Sequence, residues 1–216
     1  MERLIIFNDY ANIEAAFGQL DVALDDQDLL DYLSEGRFLV EAHAFVPIDP
    51  RNPHARAAVI ERLWQLGYLV HDKIGNLVGD GYRCNLDVEI TLELMRTAEI
   101  AKPDIIVLIS GDKDFIPVIL ELRRRGIRVE VAAFPEYNAA RDVMLKASGF
   151  IDLQRYLQER GEQDESSNPS QSESVTESQE DSPGEMDSAA DANRVGCKTA
   201  ALPSFASFKT SVDAAL

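Results

Sequence analysis

Short, wholly apolar runs alternate with segments of helical spacing along the first 160 residues. Leu4-Ile5-Ile6-Phe7 is unbroken by polar residues and stops at Asn8-Asp9, which predicts a buried strand running into a polar edge. The spacing predicts a helix over 25–33, a strand over 37–47, a helix over 54–66 and a short strand over 68–71. Trp64, Leu63 and Leu66 are expected to be core residues of that second helix. Gly75, Gly79 and Gly81 mark a loop, followed by a helix over 86–98, an apolar strand over 105–109, a helix over 115–125 and a strand over 127–133. Strands this apolar are those of a mainly parallel sheet covered on both faces, so the expected class is α/β.

Beyond 160 the pattern ends. Residues 161–193 hold ten acidic residues, no Lys or Arg and no aromatic side chain, a composition that cannot bury enough apolar surface to offset the entropy of ordering. The expected organisation is a folded domain over 1–160 and an acidic, Ser-rich, disordered tail over 161–216. Its last stretch, with Leu202, Phe205 and Phe208, could dock on a protein partner.

Charge changes the picture further. The chain of 216 residues has a formal net charge of -17, from 21 basic and 38 acidic residues, and the tail carries almost half of the excess. This excludes a broad basic face coating duplex nucleic acid, because phosphate affinity comes mainly from Lys and Arg. It leaves open a metal-dependent enzyme acting on nucleic acid. Cys84 and Cys197 are too few and too far apart for a disulfide framework or thiolate zinc site, and no run of about 18 apolar residues occurs. A reducing, cytoplasmic setting without a membrane span is expected.

In parallel sheets, ligands sit outside the carboxyl ends of the strands, which directs attention to Asp9, Asp112 and Asp114. Two carboxylates about 4 Å apart repel by roughly 4 kcal/mol at an effective dielectric near 20, so convergence there requires a cation, a shared proton or salt-bridge partners. All-oxygen donors favour Mg²⁺ or Mn²⁺. Asp87, in the first turn of the 86–98 helix, would face the same cleft. Glu93, six residues on, is rotated by roughly 120° from it and reaches the site only if its face is turned there. Capping and helix-dipole roles are the ordinary alternative for Asp87, Asp112 and Asp114.

Phe7-Asn8-Asp9-Tyr10-Ala11-Asn12, Leu86-Asp87-Val88 ahead of Glu93, and Ser110-Gly111-Asp112-Lys113-Asp114-Phe115-Ile116-Pro117 together resemble the three motifs of the NYN domain family, in its LabA-like (DUF88) branch. The resemblance covers about residues 1–157. It implies a PIN-like, Rossmann-like three-layer sandwich with a mainly parallel central sheet, and metal-dependent ribonuclease chemistry. By that resemblance Asp9, Asp87, Asp112 and Asp114 are catalytic, metal-binding carboxylates, and Glu93 is a further metal ligand. Asn12 would orient water or phosphate, with Arg83 and Lys113 as substrate-binding cations. Expected partners are RNA, single-stranded in preference to duplex, a protein bound through the tail, and a second copy of the chain.

The chain departs from the family pattern in two places. Cys84-Asn85 stands where relatives have Lys-Gly, and Ala147-Ser148-Gly149-Phe150 lacks an acid that often precedes this Phe. The alternative function implied by the LabA-like branch is regulation of gene expression, as in circadian output, through metal or RNA binding with little or no turnover. Among other motifs, the Arg123-Arg124-Arg125 run with Arg128 suits a helix end before Gly126. Arg51 and Arg56 could face a strand of substrate. His43, His54 and His71 show no ligand spacing. A phosphatase of haloacid-dehalogenase type needs a second Asp two residues after Asp9, where Ala11 stands.

Overall fold

The computed structural model describes residues 1–167. Most of the expected acidic tail, including its apolar end, lies outside the described residues.

The chain begins with β1 (Arg3–Asp9), whose residues from Leu4 onward are all buried. Two helices follow, α1 (Tyr10–Gln19) and α2 (Asp26–Ser34), each capped by the preceding aspartate: Asp9 accepts from the Asn12 amide and Asp25 from the Asp28 amide. Next come β2 (Phe38–Ile48), a 3₁₀ turn at Pro53–Arg56, α3 (Ala57–Gln65) and β3 (Tyr68–Ile74). A small antiparallel hairpin, β4 (Asn76–Val78) and β5 (Gly81–Arg83), leads into α4 (Asp87–Ala101). The second half runs β6 (Ile105–Ile109), a 3₁₀ turn at Lys113–Phe115, α5 (Ile116–Arg124), β7 (Arg128–Ala133), α6 (Arg141–Lys146), β8 (Gly149–Asp152) and α7 (Leu153–Ser167).

Six strands form one sheet in the order β3-β2-β1-β6-β7-β8, with every neighbouring pair parallel. Because strand side chains alternate between faces, the apolar run of β1 serves two cores at once. Leu4 and Ile6 pack with Ile13, Phe17, Leu29, Leu33, Leu63 and Tyr156, from α1, α2, α3 and α7. Ile5 and Phe7 pack with Ile90, Leu94, Ile119, Leu122 and Val143, from α4, α5 and α6. The result is the expected α/β sandwich of three layers. Successive strands leave β1 in one direction to β2 and β3, then return to its other side at β6. The carboxyl ends of β1 and β6 therefore flank the point where strand order reverses, the usual position of a ligand crevice.

Three readings differ from the sequence expectation. Trp64 is 59% exposed, although Leu63 beside it is fully buried. On a nine-residue helix packed by one face, adjacent positions point about 100° apart, and Leu63 takes the inward one. Helix α7, which follows β8, runs through Gly161 to Ser167, so regular structure extends past the expected start of the tail. The loop containing Gly79 and Gly81 is the β4–β5 hairpin, with Gly79 at φ +58°.

Candidate metal centre

Parallel pairing sets Asn8 opposite Ile109, so the residues that follow, Asp9 and Ser110, emerge side by side. The Ser110 hydroxyl donates to Asp9 Oδ2 at 3.0 Å. Two residues on, Asp112 caps the 3₁₀ turn by accepting the Asp114 amide at 3.0 Å, which turns both carboxylates out of the same short segment. The start of α4 supplies Asp87. Carboxylate oxygens of Asp87, Asp112 and Asp114 lie within 4.8 Å of one another. Asp87 and Asp112 are half-buried and Asp114 is exposed, so the group opens to solvent on one side.

At such separation each pair of charges repels by about 3 kcal/mol at an effective dielectric of 20. Among the described residues, no Lys, Arg or His pairs with Asp9, Asp87, Asp112 or Asp114. Asp9 is not in mutual reach of all three, but it feels both Asp87 and Asp112. Burial raises its pKa to about 6, and the two neighbouring carboxylates add to that rise against the lowering effect of its hydrogen bonds. Burial also raises Asp87, with Asp112 and Asp114 contributing, while the Asn85 side chain opposes the shift. A set of hard oxygen donors with no protein cation paired to it among the described residues fits Mg²⁺ or Mn²⁺.

The surroundings hold this geometry. Asn85 donates to Asp87 Oδ2 at 2.8 Å and accepts the Asp87 amide at the same distance, fixing the carboxylate from its own loop. Asn12 Oδ1 accepts from the Gly111 amide at 3.3 Å and from Asn138 Nδ2 at 2.7 Å. Asn138 in turn accepts the Phe134 amide, and Ala140 donates its amide to the Gly111 carbonyl. The loops after β1, β6 and β7 are thus tied together under the cluster. At Gly111 a Cβ would lie 2.0 Å from the Asn138 carbonyl oxygen, so only glycine permits this approach.

Asp9, Asp87, Asp112 and Asp114 are thus brought together, and Asn12 lies against the loop that carries Asp112. Its oxygen is engaged within the protein. Lys113 is exposed between the two aspartates of its turn, and Arg83 is exposed at the end of β5. Glu93 lies apart from the aspartate group, beside His43 and His71, and pairs with Arg96. Ser110, Asn85 and Asn138 were not expected as site residues, Asn85 standing out only as a departure from the family pattern. Ser110 stood within a quoted motif, whereas Asn138 enters from the turn after β7 and offered no local signal.

The basic run is absorbed by the fold. Arg124 and Arg125 pair with Glu121, Arg128 pairs with Glu130, and Arg123 donates to the Lys146 carbonyl. Arg51 pairs with Asp49, and Arg56 with Glu14.

A parallel three-layer sandwich with carboxylates gathered at the ends of β1 and β6 and the start of α4 defines a class of α/β proteins with an acidic cluster at the carboxyl edge of the sheet. The NYN domain family matches residues 3–154, and the chain belongs to that family. Within it the chain is LabA-like. It is 29% identical over 158 residues to the "Low amplitude and bright protein LabA" of Synechococcus elongatus, covering 70% of this chain and 83% of that relative. The crystal structure of a protein of unknown function from Vibrio parahaemolyticus has the same fold, with a TM-score of 0.60 and 22% identity over 70% of this chain and 93% of that one. No helix among the described residues is long and apolar enough to cross a membrane.

Proposed function

We propose that this protein is a metal-dependent ribonuclease, with Asp87, Asp112 and Asp114 as the carboxylates that hold Mg²⁺ or Mn²⁺. The observation that carries this reading is the approach of three carboxylates to within 4.8 Å of one another, from two separate elements, with no Lys, Arg or His of the described residues paired to them. Membership of the NYN family supports it, since these PIN-like domains generally bind RNA and use divalent metals. A bound ion of this kind lowers the pKa of water and neutralises charge developing on phosphodiester oxygens. Asp9 forms the rigid back of the site, its oxygens fixed by Ser110 and the Asn12 amide. Lys113 and Arg83 are the cations available to meet phosphate, with Asn12 as a polar contact. The test is cleavage of single-stranded RNA by purified protein with Mn²⁺ or Mg²⁺. Asp112→Asn should abolish turnover, and equal activity in that variant would sink the assignment.

A second reading is a regulator that binds metal or RNA without fast turnover. Its support is the engagement of Arg51, Arg56 and the Arg123–Arg128 group with acidic or carbonyl partners, which leaves few cations to grip substrate. The likeness to LabA is compatible with it. Mn²⁺ binding without cleavage of any RNA tested would favour this reading.

A further inference from the structure

His43 and His71 lie 28 residues apart, yet parallel pairing of β2 and β3 sets Phe45 opposite His71 and brings the two imidazoles to one face of the sheet. Both rings are fixed by stacking. His43 lies on Phe7 with centroids 4.6 Å apart, and His71 lies on Phe45 at the same separation. His43 Nδ1 is 3.1 Å from His71 Nε2, and Glu93 reaches the pair from α4, the three residues offering ligand atoms within 4.8 Å of one another.

We infer that His43, His71 and Glu93 form a second metal site, one that takes Zn²⁺ or a similar borderline dication in preference to Mg²⁺.

Four observations carry this. Two imidazole nitrogens with a carboxylate are the donor set of zinc, not of magnesium. Nitrogens 3.1 Å apart, each at the usual zinc–nitrogen distance of about 2.0–2.1 Å, subtend an angle of roughly 100° at the ion, close to tetrahedral. His43 Nε2 faces Glu41 Oε2 at 3.3 Å, so its N–H is taken by a carboxylate and Nδ1 keeps its lone pair, the arrangement that orients a metal-binding histidine. A groove of about 550 Å³, lined by His71 and Glu93 with Leu92 and Arg96, gives access and room for a fourth ligand. Arg96, the present partner of Glu93, is mostly exposed and can yield to an ion. Occupied, the site would join the edge strand β3 to α4, the helix that begins with Asp87.

The experiment is a Zn²⁺ titration of the metal-free full chain with X-ray absorption at the zinc edge. Tight binding is expected, with two imidazole neighbours in the spectrum. His71→Gln should weaken Zn²⁺ by at least about tenfold, and Glu41→Gln by about tenfold or more, while Mn²⁺ affinity stays unchanged in both. Asp112→Asn should do the reverse. Because the spectrum needs only the unmodified protein, a variant that misfolds leaves the test intact. No Zn²⁺ binding, a spectrum with oxygen neighbours alone, or unchanged affinity in folded His71→Gln would overturn the inference. Zinc lost in Asp112→Asn would place it in the aspartate cluster and overturn it equally.

Discussion

The Ser110 hydroxyl donates to Asp9 Oδ2 at 3.0 Å, across the seam where β1 and β6 run side by side. This bond joins two sequence motifs a hundred residues apart, and it holds a carboxylate that burial has pushed to a pKa of about 6. An unfolded Asp titrates near 3.8.

The folded state therefore binds the Asp9 proton more tightly than the unfolded chain does. Its stabilising effect is fully present below pH 4 and is lost as pH rises from about 4 through about 6. In metal-free protein at pH 7, Asp9→Asn should raise stability by up to about 3 kcal/mol. It should also weaken Mn²⁺ binding. Urea unfolding at pH 4 and pH 7 checks this; a metal-free variant less stable than wild type at pH 7 contradicts it.

Gly111→Ala should destabilise by at least about 2 kcal/mol, because the added methyl meets the Asn138 backbone instead of a flexible side-chain end. Chemical denaturation measures the loss. Wild-type stability would mean that the loops after β6 and β7 are not in contact as described.

Asn12→Ala removes the acceptor shared by the Gly111 amide and Asn138 and should cost about 1–3 kcal/mol. Hydrogen exchange at the Gly111 amide should speed up in the variant. An unchanged rate would leave Asn12 without its bracing role.

Trp64→Ala should change stability by less than about 1 kcal/mol, since the indole is mostly exposed. Tryptophan fluorescence in the native protein should already be red-shifted and quenchable by iodide. A blue-shifted, protected signal would restore the buried position that its helical spacing suggested.

The apolar strands and the acids at their ends were legible because Leu4–Phe7 and Ile105–Ile109 contain no polar residue, leaving few places for them but a covered parallel sheet. Helix α1 was not legible: its inward positions Tyr10, Ile13, Ala16 and Phe17 are interspersed with small residues, and its cap is Asp9, already read as a strand end. Strand β8 is four residues, all half-buried, with no alternation to detect. The rotation between Asp87 and Glu93 was readable from helix geometry, and the two side chains do serve different clusters. That Glu93 meets two histidines was not readable, because their proximity depends on β2–β3 register.

The most direct test of the account is a crystal of the protein soaked in Mn²⁺ and measured for anomalous scattering. The account predicts a peak bound jointly by Asp87, Asp112 and Asp114, with Asp9 beside it. No peak there, with the carboxylates turned into separate salt bridges, would contradict it.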